Sequence, residues 1–289
     1  MGKRSINVTP ILKVKTAVSH LYCEVMRAPL SSLVCCFLLL LGTLLSQRTS
    51  LAASARGAHQ NSRAMVVVID PGHGGDDPGA ADNGLVEKIL TLRVAKVAQK
   101  DLQRMGFRVY LTRYHDQDVN VPPRDVNHDG HIDHVDELAI RNVIANRHHA
   151  DAFVSIHFDA GGTLNHGTHG YWCPNRPFWQ ANKRLAGILS ASVTSSLQRA
   201  GVSSVNNGVG TDVADPIPQT RQDYPWFLVL GPSLKHYVAG TAMPGALIET
   251  MYLTSAQDAA ALHHRSTIEA LGRGYAQGIL SYFHGQTRR

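Results

Sequence analysis

The chain has 289 residues, a formal charge of +6 and an apolar fraction of 44%, enough for one good-sized domain with an N-terminal extension. Its mild basic balance comes with no aromatic and basic stretch, which excludes a nucleic-acid reader. Of four cysteines only Cys173 lies beyond the leader, which excludes an internal disulfide or a cysteine-based zinc site.

The first elements belong to export. Residues 33–45 read LVCCFLLLLGTLL, short for a membrane span and right for a signal-peptide core. Lys3, Arg4, Lys13, Lys15 and Arg27 precede it, and Ala53-Ser54-Ala55 forms a small-residue cleavage pattern. Residues 1–55 are therefore expected to be a signal peptide, with an uncleaved N-terminal anchor as the rival. Membrane contact is expected only through this segment if it stays uncleaved. Initiation at Met26 would shorten the leader. Residues 56–64 are a polar linker.

From Met65 the patterns of strand and helix alternate. MVVVIDPGHGG opens with five apolar residues, a buried strand, and breaks into glycine-rich turn residues around His73. Residues 84–105 carry Leu90, Val94, Ala98, Leu102 and Met105 at helical steps, and Gly106 ends that helix. Phe107, Val109 and Leu111 alternate as a strand. Residues 132–151 are expected to be helical in their second half. DAFVSIH at 151–157 is a strand and 178–200 a helix. Residues 227–230 and 246–249 read as strands. Ser255 with Asp258 reads as a cap for one last helix reaching about Phe283. This pattern predicts an α/β fold: a single layered domain over residues 65–285, with a mixed, mostly parallel sheet flanked by helices.

His73 follows the first strand, His157 closes VSIH and Glu249 closes ALIE. In open α/β sheets ligands gather at the carboxyl ends of strands. Glu87 lies on the apolar stripe of the first helix, where a carboxylate needs a partner. Two imidazoles and one carboxylate suit zinc and leave a position open. Singly, each group also fits an ordinary structural role: a hydrogen-bonded histidine, a first-turn glutamate or a salt-bridged edge glutamate.

IDPGHGG, GLVEKILTL, ADAFVSIH and GALIETMYLTSAQDAAAL, in that order, resemble the zinc-dependent N-acetylmuramoyl-L-alanine amidases of bacterial cell walls. The resemblance runs from about Met65 to Phe283. It implies zinc ligation by His73, Glu87 and His157, catalysis by Glu249, and peptidoglycan as the partner. It also implies an exported enzyme of the periplasm or cell envelope. Zinc would activate water and polarise the amide carbonyl, and Glu249 would carry the proton to the leaving amine. Two departures stand out: Asp159 where the family often has asparagine, and Gly231 where it commonly has arginine. The stretch 203–243 matches poorly.

A second motif lies in an insertion at about 119–136. DVNHDGHIDHVD resembles an EF-hand-like calcium loop. Asp125, Asn127, Asp129, Asp133 and Asp136 supply the spaced oxygens, His131 a backbone carbonyl, and Gly130 the sharp turn. The rival is an acidic surface loop. Two other functions compete with the leading one: another zinc amidohydrolase or peptidase with the same ligands, and a non-catalytic wall-binding protein.

Overall fold

In the computed structural model, residues 63–213 and 224–285 are described. The leader and all but the end of the linker lie outside them. Strand β1 (Val66–Pro71) is buried along its whole length, as its unbroken apolar run requires of a strand covered on both faces. The short strands β2 (Ala81–Asp82) and β3 (Leu85–Val86) pair antiparallel and lead into helix α1 (Glu87–Arg104). There follow β4 (Arg108–Leu111), α2 (His134–Arg147), β5 (Ala152–Asp159), β6 (Thr168–Trp172), α3 (Trp179–Arg199), β7 (Asn206–Thr211), β8 (Gly245–Tyr252), α4 (Ala256–Leu262) and α5 (Arg265–His284).

Six strands form one sheet in the order β4-β1-β5-β8-β6-β7. All neighbouring pairs are parallel except β6 with β8, which makes the sheet mixed and mostly parallel, as predicted. Alternation splits each central strand between two cores. Val67, Ile69, Val154, Ile156, Ala246 and Ile248 pack with residues of α1, α3 and α5. Val66, Val68, Phe153 and Leu247 face Ala145 of α2 and Phe227, Val229, Leu230 and Met243. A smaller cluster joins the two long connections: Val126, Val135, Leu138 and Ala139 meet Leu228, Leu234, Tyr237 and Val238.

Three expectations need correction. Residues 227–230 form a turn, not a strand, closed by the Leu230 and Gly231 amides on the Phe227 carbonyl. Their apolar run reflects burial, which periodicity alone cannot assign to a strand. The last helix is two, α4 and α5, and Ser255 makes no side-chain cap. Asp258 instead turns inward, where its Oδ2 accepts from the Gly167 and Tyr252 amides. Finally, β8 is a central strand, so Glu249 is not an edge residue.

Candidate active site

The carboxyl ends of β1 and β5 and the start of α1 bring His73, Glu87 and His157 together. Among the described residues, only these three His, Cys, Asp or Glu side chains place ligand atoms within 4.8 Å of one another as a group. Glu87 Oε1 lies 3.1 Å from His73 Nε2 and 3.1 Å from His157 Nδ1. Donors about 2.0–2.1 Å from a tetrahedral zinc stand roughly 3.3 Å apart, so the set fits that ion in donor type, and the two Glu87–histidine distances fit it in spacing. Glu87 is the first residue of α1 and nearly fully buried. Its Oε2 accepts from the Ala80 amide at 2.8 Å and its Oε1 from the Phe158 amide at 2.9 Å.

His73 is oriented from behind. Its Nδ1 lies 2.8 Å from Asp77 Oδ2, which leaves Nε2 toward the cluster, the outer-shell arrangement that fixes a metal-ligating imidazole. Its backbone φ of 60° is in the left-handed region that non-glycine residues avoid. Arg141 holds that conformation by donating to the His73 carbonyl at 3.1 Å. Burial pulls the His73 pKa down, but the Asp77 and Glu87 carboxylates outweigh it and lift it to about 9. For Asp77, burial raises the pKa and His73 overrides it, down to about 2. Burial likewise raises Glu87, and the two histidines override it, holding the carboxyl below its ordinary range.

Two glycines are steric necessities. A Cβ on Gly72 would fall on the His157 ring. Gly79 has φ +64°, and a Cβ there would lie 2.6 Å from Glu87 Oε2.

Beneath the loop sits a charged support absent from the sequence expectations. Asp70 accepts from Arg141 Nη1 at 2.8 Å, Thr112 Oγ1 at 2.6 Å and Ser155 Oγ at 2.7 Å. Burial alone would raise its pKa; Arg141 and the two hydroxyls outweigh burial and keep it low. Arg113 donates to the Pro71, Gly72 and Lys88 carbonyls. The two guanidiniums thus satisfy the backbone of a loop with few amide partners of its own. Nothing in the sequence separated these two arginines from surface ones.

Glu249 stands beside His157 in the sheet register and lines the same cavity of about 520 Å³. Its Oε2 is enclosed. Burial, then the nearby Glu87 and Asp159 carboxylates, push its pKa well above the usual carboxylate range. Asp159 lines the cavity too and bonds the Tyr252 hydroxyl. His134 and Leu138 of α2, with Phe227 to Val229, form the far wall. Another crevice of about 520 Å³, bounded by Asp101, Arg199 and Arg273, holds no such cluster. Gly231 sits off the cavity, where a Cβ would strike the Tyr224 hydroxyl, so an arginine cannot be housed there.

The acidic loop is built differently. Asp125 accepts from the Asp129 and Gly130 amides, and Asn127 and Asp129 bond within the loop. Gly130 has φ +92°. Asp133 caps α2, and Asp136 completes a capping box while also accepting from the Val126 and Asn127 amides. His131 is exposed.

A layered α/β domain with a His₂Glu cluster and a further carboxylate at its strand ends is the architecture of a hydrolase. Residues 67–281 match the Amidase_3 family, described as N-acetylmuramoyl-L-alanine amidase, and the chain belongs to that family. The sporulation-specific N-acetylmuramoyl-L-alanine amidase of Bacillus subtilis is 30% identical over 220 residues, 75% of this chain and 68% of that protein. The amidase AmiC of Neisseria meningitidis is 37% identical over 105 residues, 36% of this chain and 21% of that protein. The solved structure of AmiC2 from Nostoc punctiforme superposes with a TM-score of 0.58 at 27% identity, covering 77% of this chain and 99% of that one. The protein is accordingly an N-acetylmuramoyl-L-alanine amidase, a hydrolase of cell-wall degradation.

Proposed function

We propose that the chain is an exported, zinc-dependent amidase that cuts the bond between the lactyl group of N-acetylmuramic acid and L-alanine of the stem peptide. The observation that carries the zinc reading is the convergence of His73, Glu87 and His157 within 4.8 Å. Zinc, when bound there, supplies a Lewis acid that polarises the amide carbonyl and activates water. His73 Nε2, the Glu87 carboxylate and His157 Nδ1 would hold it, with Asp77 fixing the His73 tautomer. Glu249 takes the proton from the attacking water and delivers it to the departing amide nitrogen.

Export is proposed on the apolar run at 33–45 and its cleavage pattern, which lie outside the described residues. Among those that are described, no helix is long and apolar enough to cross a membrane. A relative from Staphylococcus aureus carries the name probable cell wall amidase, and that substrate lies beyond the cytoplasmic membrane. Calcium in the loop of Asp125, Asn127, Asp129, His131, Asp133 and Asp136 is proposed on the spacing and the tight Gly130 turn, at the weak, millimolar end of such loops.

Mass spectrometry of peptidoglycan digested by the purified protein, with metal content measured on the same sample, tests the central reading. Release of intact stem peptides with free L-alanine amino termini, by protein holding about one zinc per chain, is expected. Cleavage at another amide, or full activity without zinc, overturns it.

A further inference from the structure

The site extends one strand further than its motifs. Register pairs His157 of β5 with Glu249 of β8, and Glu249 with His169 of β6. Residues paired across neighbouring strands point to the same face. The sheet therefore lays His157, Glu249 and His169 side by side in one row. The next row on that face, Leu247 with Tyr171, confirms the alignment.

Two atoms in this row are unsatisfied in the same way. Glu249 Oε2 and His169 Nε2 are both enclosed, and neither has a hydrogen-bond partner among the described residues. Enclosed polar atoms are normally paired, and here a carboxylate acceptor and an imidazole that can donate stand on directly opposed residues. The His169 ring rests 4.6 Å from the Tyr171 ring and leans over Gly210 of β7. A Cβ on Gly210 would come within 3.0 Å of Nε2. To reach Glu249 the imidazole must turn from β7 toward β8.

We infer that His169 is a positioning residue for Glu249. Its imidazole anchors the enclosed oxygen of that carboxyl, so that the other oxygen stays aimed into the cavity beside His157. This rests on the acid–base reading of Glu249. The competing account makes His169 a space-filling neighbour of Tyr171, with no bearing on the reaction.

A double-mutant cycle on the zinc-loaded full chain separates these accounts. His169→Ala, Glu249→Gln and the double variant are assayed on one defined muropeptide, with zinc content and melting temperature recorded for each. If His169 acts through Glu249, His169→Ala lowers kcat roughly tenfold or more with KM little changed, and that loss largely disappears in the Glu249→Gln background, as expected for coupled residues. His169→Gln, which retains a donor, recovers much of the loss and serves where the alanine variant folds poorly. Additive losses, or a fall in KM and stability alone, overturn the inference while leaving the role of Glu249 intact. Full turnover by Glu249→Gln overturns the parent reading and this one with it.

Discussion

Two regions of the molecule carry clusters of acidic and histidine side chains, and they are assembled on opposite plans. The metal-type cluster draws His73, Glu87, His157 and Glu249 from the loop after β1, the start of α1, β5 and β8, and Glu87 is answered by the His157 ring and the Phe158 amide far away in sequence. The loop of 125–136 is contiguous, and its carboxylates are answered by amides within the same turn or the start of α2. Local acidic turns satisfy themselves. A cluster gathered across the whole sheet, held over a buried arginine, has no structural need that explains its cost. Convergence, more than composition, marks the reactive site.

The largest test of this contrast is removal of a ligand. His73→Ala or His157→Ala should empty the zinc site and abolish hydrolysis, because three protein ligands are the minimum for this geometry. Near-stoichiometric zinc in either variant, measured by elemental mass spectrometry, would break the assignment. Glu249→Gln should come next, lowering turnover about 10²–10⁴-fold while zinc content and substrate affinity hold. Turnover within a few-fold of the parent would remove Glu249 from the chemistry.

The support beneath the cluster gives the third test. Arg141 and Asp70 are both almost fully buried. Arg141→Met leaves that carboxylate without its cation, and loss of one partner of a buried pair costs about 3–5 kcal/mol. Adding Asp70→Asn should restore part of the stability. Denaturant unfolding of the three variants reads this directly, and an undiminished midpoint for Arg141→Met would show the support to be dispensable.

A fourth test uses pH on metal-free protein. Asp77 and Glu87 outweigh burial and lift His73 from 6.5 to about 9. A raised folded value means the contribution is whole below about pH 6.5 and is lost as pH rises through about 9. The melting temperature in chelator should fall across that window, and less so in Asp77→Asn. A fall of equal size in both would show that the Asp77 pairing is not its source. Proton loss from His73 frees a ligand nitrogen, so zinc affinity should rise over the same range.

The smallest effect is expected from the loop. Asp125→Ala with Asp129→Ala should erase a modest, millimolar calcium stabilisation and leave zinc content untouched, since binding to the folded state alone stabilises by mass action. Calorimetry showing no calcium uptake by the parent protein would reduce the loop to a self-capped turn.

The same contrast governs what could be read in the sequence. The strand of 66–71 and the stripe of α1 were legible because burial leaves a periodic trace, and His73, Glu87, His157 and Glu249 because strand ends and known motifs flag them. Asp77 lay inside the glycine-rich stretch with nothing to separate it from Asp76. Arg113 and Arg141 look like surface arginines; their burial follows from carbonyls brought near them only by the folded loop. β6 and β7 escaped notice because THGYW and NNGVGT lack a clean apolar alternation. Residues 227–230 misled for the opposite reason, being apolar enough for a strand yet bent into a turn.

The strand order has a consequence for how the protein is made. β8 lies between β5 and β6, yet it is the last of the described strands in chain order. A nascent chain can present His73, Glu87 and His157 long before residues 245–252 exist. Until they do, β5 lacks one neighbour, β6 has only β7, and Glu249 has not been synthesised. Contacts so distant in sequence close late in folding. The proposed site is therefore complete only once residues 245–252 have filled the middle of the sheet.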